Sequence, residues 1–196
     1  IMSVVIHEVA HGYAALALGD PTAKYQGRLT LNPISHLDPV GSVLVPLMGH
    51  FLGGFIIGWA KPVPFNPYNL RNAKWGEALG AVAGPLSNIS IAIIFGLIIR
   101  LAIGYGVATS AFLDLARFVV LINITLAIFN LIPIPPLDGS KILFALLPYK
   151  WQGLRRKIEQ YGLLFVIIFV VFLWQILEPL IVITFSFLTG TPISSN

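Results

Sequence analysis

Cysteine is absent from this chain. That excludes disulfides, thiol nucleophiles and thiolate metal ligands, so a transition metal here would be held by His, Asp or Glu. Charge is scarce as well: Lys, Arg, Asp and Glu together make up 10% of the 196 residues, where a soluble domain carries about 25%. Long polar or Ser-rich tracts are missing, which leaves little room for a second, soluble domain. What is abundant is apolar: 57% of residues are hydrophobic and the mean hydropathy is +0.86, a composition that fits lipid as the solvent. The net charge of +4 is modest and is not gathered on a polar basic face, so a nucleic-acid partner has no footing. No cleavable signal peptide is visible. Ile1 begins mid-pattern, with only six residues ahead of His7, whereas a full span needs about 20 apolar residues. We expect a natural N-terminal part ahead of Ile1, comprising an extra helix and the first half of this one.

Five apolar segments organise the chain: residues 1–18, 41–58, about 77–103, about 108–131 and 161 to about 188. The second contains Pro46 and five glycines, a poor straight helix that reads as a re-entrant or broken hairpin. The third carries Gly80 and Gly84, at the spacing that lets helices approach closely. In the fifth, Glu178-Pro179 marks an expected kink or exit. Between the segments, Lys24 to Leu31 has the partial alternation of a short strand, and Pro62, Pro64 and Pro67 predict an extended strip over residues 60–69. Ten of the twelve basic residues flank the second segment or lie between the fourth and fifth. If the second segment re-enters, all ten share one side, which the positive-inside rule makes cytoplasmic. Trp59, Trp75 and Trp151 read as interfacial anchors, and Arg155-Arg156-Lys157 as a topology anchor at the headgroups.

The first segment contains His7-Glu8-Val9-Ala10-His11. Residues four apart share a helix face, so both imidazoles can reach one metal ion, with Glu8 beside them as a general base. Glu8 is the only Asp, Glu, Lys or Arg in residues 1–18, and ionisable groups in such a setting are functional by default. A catalytic zinc takes three protein ligands. The third must come from Asp20, Asp38, Glu77, Asp114, Asp138, Glu159, Glu178, His36 or His50. Asp138 is the best placed. It closes Asn130-Leu131-Ile132-Pro133-Ile134-Pro135-Pro136-Leu137-Asp138-Gly139, where three prolines prevent a regular helix and Gly139 lets the chain turn into a new one. Charge agrees: a divalent zinc, Glu8, Asp138 and two neutral histidines sum to zero. His36 and His50 read as packing residues. Taken by itself, Asp138-Gly139 is equally an ordinary helix cap, and the pentapeptide alone is equally a chance match.

With these stretches in hand, the chain resembles the site-2 protease family of intramembrane zinc metalloproteases, in its compact prokaryotic branch. The resemblance rests on the pentapeptide and on Asn130 through Asp138-Gly139. It extends to Gly19-Asp20-Pro21-Thr22-Ala23, Gly27-Arg28-Leu29-Thr30-Leu31-Asn32-Pro33, Trp59-Ala60-Lys61-Pro62-Val63-Pro64 and Ala83-Gly84-Pro85-Leu86-Ser87-Asn88. It implies His7, His11 and Asp138 as ligands of one zinc ion and Glu8 as general base. It further implies that Asn130 helps hold substrate or oxyanion and that Asn88 lines the cavity. The family carries a helix ahead of the pentapeptide that is not in this sequence.

The expectation is an all-α polytopic membrane protein. It comprises about four transmembrane helices, a re-entrant or broken segment, and short extended elements near the active-site cavity. Residues 1–196 form one domain, with a catalytic core at about 1–147 and a final transmembrane segment at about 161–189. The implied activity is zinc-dependent hydrolysis of peptide bonds in or near transmembrane segments, as in regulated intramembrane proteolysis. The partners are a transmembrane protein or peptide substrate and the lipid bilayer. The implied location is the prokaryotic plasma membrane, with the site nearer the cytoplasm. The oligomeric state is not encoded in any motif. An ion transporter and a non-catalytic membrane adaptor are the competing readings. Transport would not need Glu8 beside the metal pair but would need a second access route, and an intact Glu8 argues against the adaptor.

Overall fold

The structure, a computed structural model, describes residues 1–53, 60–148 and 151–193, and among them every regular element is helical. Helix α1 spans Met2–Ala17 and α2 is a single turn, Thr22–Tyr25. A π-helical turn at Pro39–Leu44 runs into α3, Val45–Gly53. Then come α4 (Ala73–Gly104), α5 (Ser110–Asn130), α6 (Asp138–Leu146), α7 (Gln152–Gln160) and α8 (Gly162–Thr189).

Helix boundaries follow local chemistry. The Asn72 side chain caps α4 by accepting from Trp75 N at 3.1 Å, and Thr109 caps α5 through Phe112 N, each satisfying an orphan amide. Asp38 opens the π-helical turn by accepting from Val40 N and Gly41 N at 2.9 and 2.6 Å. At the far end of α8, Gly190 turns left-handed at φ +71°, as favoured after a helix C-terminus. Arg100 of α4 then donates to the exposed carbonyls of Phe187 and Leu188.

Helix α4 is the spine, packing against α1, α5, α6 and α8. The core lies where α4, α5 and α8 meet, around Ala92, Ile99, Val120, Ile124, Ile181 and Phe185. Gly96 permits this approach, since a Cβ there would lie 3.0 Å from the Leu188 carbonyl oxygen. Two helices among the described residues, Trp75–Gly104 and Ser110–Asn130, are long and apolar enough to cross a membrane. Only 22% and 28% of their most apolar windows are buried inside the protein, so most of that apolar surface faces outward, where water would penalise it.

The expected strand at Lys24 to Leu31 does not form. Residues 22–25 are helical and residues 28–32 have no regular structure. The cause is local: Asp20 accepts from Thr22 N and Thr22 Oγ1, which starts a helical turn, and Gly27 at φ +64° ends it. Of the kink or exit expected at Glu178-Pro179, the exit is absent, because α8 carries Pro179 internally and continues to Thr189. The strip at residues 60–66 is non-helical as expected, followed by a 3-10 turn at Pro67–Asn69. The second apolar segment is helical through Gly53; its remainder, and Trp59, fall outside the described residues.

Candidate metal centre and active-site cavity

Helix α1 brings His7 and His11 to one face, with ring centroids 4.6 Å apart and perpendicular planes. Asp138 arrives from the first turn of α6, because the proline-broken stretch 131–137 reverses the chain. Gly139 makes that reversal possible: a Cβ there would lie 2.5 Å from the Ile132 carbonyl oxygen and against that of Leu131. The result is a triangle of atoms. His7 Nε2 and His11 Nε2 stand 3.2 and 3.0 Å from Asp138 Oδ2, and 3.0 Å from each other.

The other ring nitrogens decide what that triangle is. His11 Nδ1 donates to the Gly80 carbonyl at 2.8 Å. His7 Nδ1 donates to Asn88 Oδ1 at 2.5 Å. Asn88 is oriented in turn, since its Nδ2 donates to Asn123 Oδ1 at 2.8 Å and to the Ser3 carbonyl. Asn123 Nδ2 donates to Val119 O and Ser3 Oγ. With both Nδ1 atoms protonated, both Nε2 atoms of neutral imidazoles present lone pairs to the Asp138 carboxylate. In the neutral tautomers that these Nδ1 bonds favour, three lone-pair donors converge, an arrangement that a cation stabilises. Tetrahedral zinc ligands stand about 3.3 Å apart for bonds of about 2.0–2.1 Å, within a few tenths of the observed edges. These three residues are the only group of three or more His, Asp or Glu ligand atoms close enough for one ion among the described residues. The donor set therefore fits zinc.

Gly84 makes room for it. A Cβ at Gly84 would lie 2.6 Å from Cε1 of both His7 and His11 and would also press on His11 Nε2. The Lys141 ammonium lies 3.3 Å from Asp138 Oδ1, leaving Oδ2 facing the imidazoles. Glu8 projects beside the triangle, and its Oε2 accepts from Val63 N at 2.9 Å.

Two cavities meet here. One, of about 180 Å³, is lined by His7, Glu8, His11, Pro62, Val63, Glu77, Asn130, Asp138 and Lys141, among others. The second, of about 460 Å³, shares His7, Glu8 and Asn130 and continues along Ile1, Val4, Leu37, Pro46, Leu126 and Phe129. Asn130 thus stands between the two, with its Nδ2 donating to Leu126 O at 2.9 Å. Asn88 stands one layer behind the wall, fully buried, and faces His7 rather than the cavity.

Several other ligand candidates have separate partners. Asp20 and Asp38 accept backbone amides, Glu77 and Glu159 pair with Arg155, and Asp114 faces Arg117. His36 Nε2 donates to Thr30 O at 2.9 Å, and His50 packs edge-on against Phe51. Sequence reasoning had not singled out Asn123, Lys141 or the Val63 amide. An asparagine in the middle of the apolar α5 is a signal that could have found Asn123; nothing local announces the Val63 amide.

The fold and site together define a helical, metal-dependent hydrolase with long apolar helices. The family model for peptidase family M50 matches residues 98–173. "Putative zinc metalloprotease YwhC" of Bacillus subtilis (strain 168) is 40% identical over 185 residues, covering 92% of this chain and 78% of that protein. "Putative zinc metalloprotease Rip2" of Mycolicibacterium smegmatis is 28% identical over 171 residues, 87% of this chain. Rip2 of Mycobacterium tuberculosis H37Rv is 29% identical over 175 residues, 86% of this chain. The chain spans 64% and 63% of the lengths of these two mycobacterial relatives. No solved structure matches it. The chain belongs to peptidase family M50, the site-2 protease family of zinc metallopeptidases, and its cofactor is zinc.

Proposed function

We propose that this chain is an intramembrane zinc endopeptidase that cuts peptide bonds in or near the transmembrane segments of other membrane proteins. His7, His11 and Asp138 hold the metal and Glu8 is the general base. The observation that carries this reading is the convergence of three potential ligand atoms beside Glu8, where a cavity rich in polar groups meets a mostly apolar one. Water has a polar way in, and an apolar side chain has a place to sit.

Zinc in this site supplies Lewis acidity, bringing the pKa of a water towards about 7 and polarising a carbonyl. Glu8 takes the proton of the attacking water and delivers it to the leaving amine. The Val63 amide holds Oε2, which leaves Oε1 for that exchange. Asn130 keeps one amide hydrogen on Leu126 O and offers the second to the developing oxyanion. A substrate helix hides its own carbonyls, so it must unwind. The extended strip at residues 60–66 borders the cavity and offers backbone for an unwound chain to pair with.

The membrane setting follows from the same features. The outward apolar faces of α4 and α5 suit lipid, α1 and α8 complete about four spans, and the segment at residues 41–58, whose last part lies outside the described residues, is read as re-entering from the basic, cytoplasmic side. The active site lies nearer that side of a prokaryotic plasma membrane.

The test is cleavage of a transmembrane peptide library by detergent-solubilised protein loaded with zinc. We expect wild-type cleavage that a chelator abolishes. Glu8→Gln should keep zinc and lose about 10²–10⁴-fold in rate. Zinc bound stoichiometrically by both proteins with no cleavage by either would overturn the reading.

A further inference from the structure

Residues 60–66 cannot hold themselves in place. They form no helix and pair with no strand among the described residues, and Pro62 and Pro64 remove two of the amides a ladder would use. Yet Val63, between those prolines, directs its only amide hydrogen at Glu8. Something must set where that amide points.

Two buried charged residues grip the strip on either side of Val63. On one side, Arg28 Nη2 donates to Lys61 O at 2.9 Å and to Pro62 O at 3.4 Å, while Lys61 N donates to His36 O at 2.9 Å. On the other, Asp20 Oδ2 accepts from Asn66 N at 2.7 Å, and Asp20 Oδ1 accepts from Asn69 Nδ2 at 2.8 Å. Arg28 is 9% exposed and Asp20 fully buried. Among the described residues Arg28 has no carboxylate partner and its Nε has no hydrogen-bond partner. A buried guanidinium without a counter-ion is costly, and the carbonyls of the strip are what its hydrogen bonds reach.

Both grips are referred to the helix that carries the catalytic residues. Asp20 N donates to Ala15 O at the end of α1, at 2.9 Å. Arg28 follows α2, and its neighbour Leu29 packs over Gly12. A Cβ at Gly12 would strike Leu29 and come 3.0 Å from Val63 Cγ1, so the strip lies directly on α1 one residue past His11.

We propose that Asp20 and Arg28 are positioning residues: a two-ended clamp that holds residues 61–66 against α1, so that the Val63 amide fixes the Glu8 carboxylate for proton transfer. This rests on Glu8 being the general base, and its test separates the two ideas. Because Pro62 and Pro64 have no amide, hydrogen exchange in the Pro62-Val63-Pro64 triplet reports Val63 alone. In the full chain we expect Arg28→Gln and Asp20→Asn to speed that exchange about tenfold. Their kcat should fall about 10–100-fold, with KM and zinc stoichiometry unchanged. Arg28→Lys, which keeps a charged donor for the carbonyls, should restore much of both. The clamp is overturned if Arg28→Gln and Asp20→Asn leave Val63 exchange and kcat at wild-type values. It is overturned equally if Arg28→Lys and Arg28→Gln lose thermal stability, zinc and activity together. A wild-type protein that cleaves nothing, while Arg28→Gln still frees the Val63 amide, would retain the clamp and remove the peptidase reading.

Discussion

His7 uses both faces of its ring. Nε2 points into the triangle with His11 and Asp138, and Nδ1 donates to a relay through Asn88 and Asn123 to backbone carbonyls on α1 and α5. The relay sets the tautomer, and with it the availability of the lone pair. Replacing Asn88 by alanine leaves the imidazole free to rotate or to take the other tautomer. Zinc affinity should then drop about 10–100-fold, read by competition against a chelator; unchanged affinity would mean the relay is packing only. Glu8 is held differently, by a single backbone amide, which leaves its carboxylate one oxygen for chemistry.

At the scale of elements, the approach of α1 to α4 is set by small residues, and the two glycines at helix-packing spacing differ. Gly84 lies against both imidazoles, whereas a Cβ on Gly80 meets nothing within 4 Å. Gly84→Ala should therefore displace the histidines and lose stoichiometric zinc, while Gly80→Ala should bind zinc as the wild type does; metal analysis of the two purified variants decides. The polar link after α1 has its own signature. Burial pushes the Asp20 carboxyl upward, but hydrogen bonds from Asn66, Thr22 and Asn69 override this and hold it below the usual carboxylate range. A carboxyl with a folded value below its unfolded value of about 3.9 stabilises the protein above that pH, and the contribution is lost as pH falls through the folded value. Thermal midpoints measured from neutral to acidic pH should therefore fall for the wild type below about pH 4. Asp20→Asn should start lower at neutral pH and show a shallower acid decline.

For the whole molecule, a zinc ion held as proposed would be a cross-link. It would join α1 to α6 across 131 positions of chain, against a core that sits elsewhere, among α4, α5 and α8. A ligand that binds only the folded state adds stability, about 4 kcal/mol at a thousandfold excess over its dissociation constant. Chelation should lower the thermal midpoint in detergent, and His11→Ala should remove that sensitivity. A midpoint indifferent to chelator in the wild type would mean that α1 and α6 are held by packing alone.

The sequence by itself determined the helical class, the approximate limits of α1, α4, α5 and α8, and the presence of two imidazoles on one helix face. These depend on apolar runs, caps and a four-residue spacing, all of them local and additive along the chain. It also pointed to Asp138 through a proline-broken stretch, a local signature once more. It misjudged Lys24 to Leu31, where weak alternation lost to an Asp20-initiated turn, because a strand needs a partner that no local pattern supplies. Only the tertiary structure decided that Asn88 stands behind His7 rather than on the cavity wall, that Asn123 orients it, and that Val63 reaches Glu8. Those contacts join side chains and amides 35 to 81 positions apart. Such pairs meet through the packing of whole helices, and the free energy that brings them together resides in that packing rather than in any short stretch of residues.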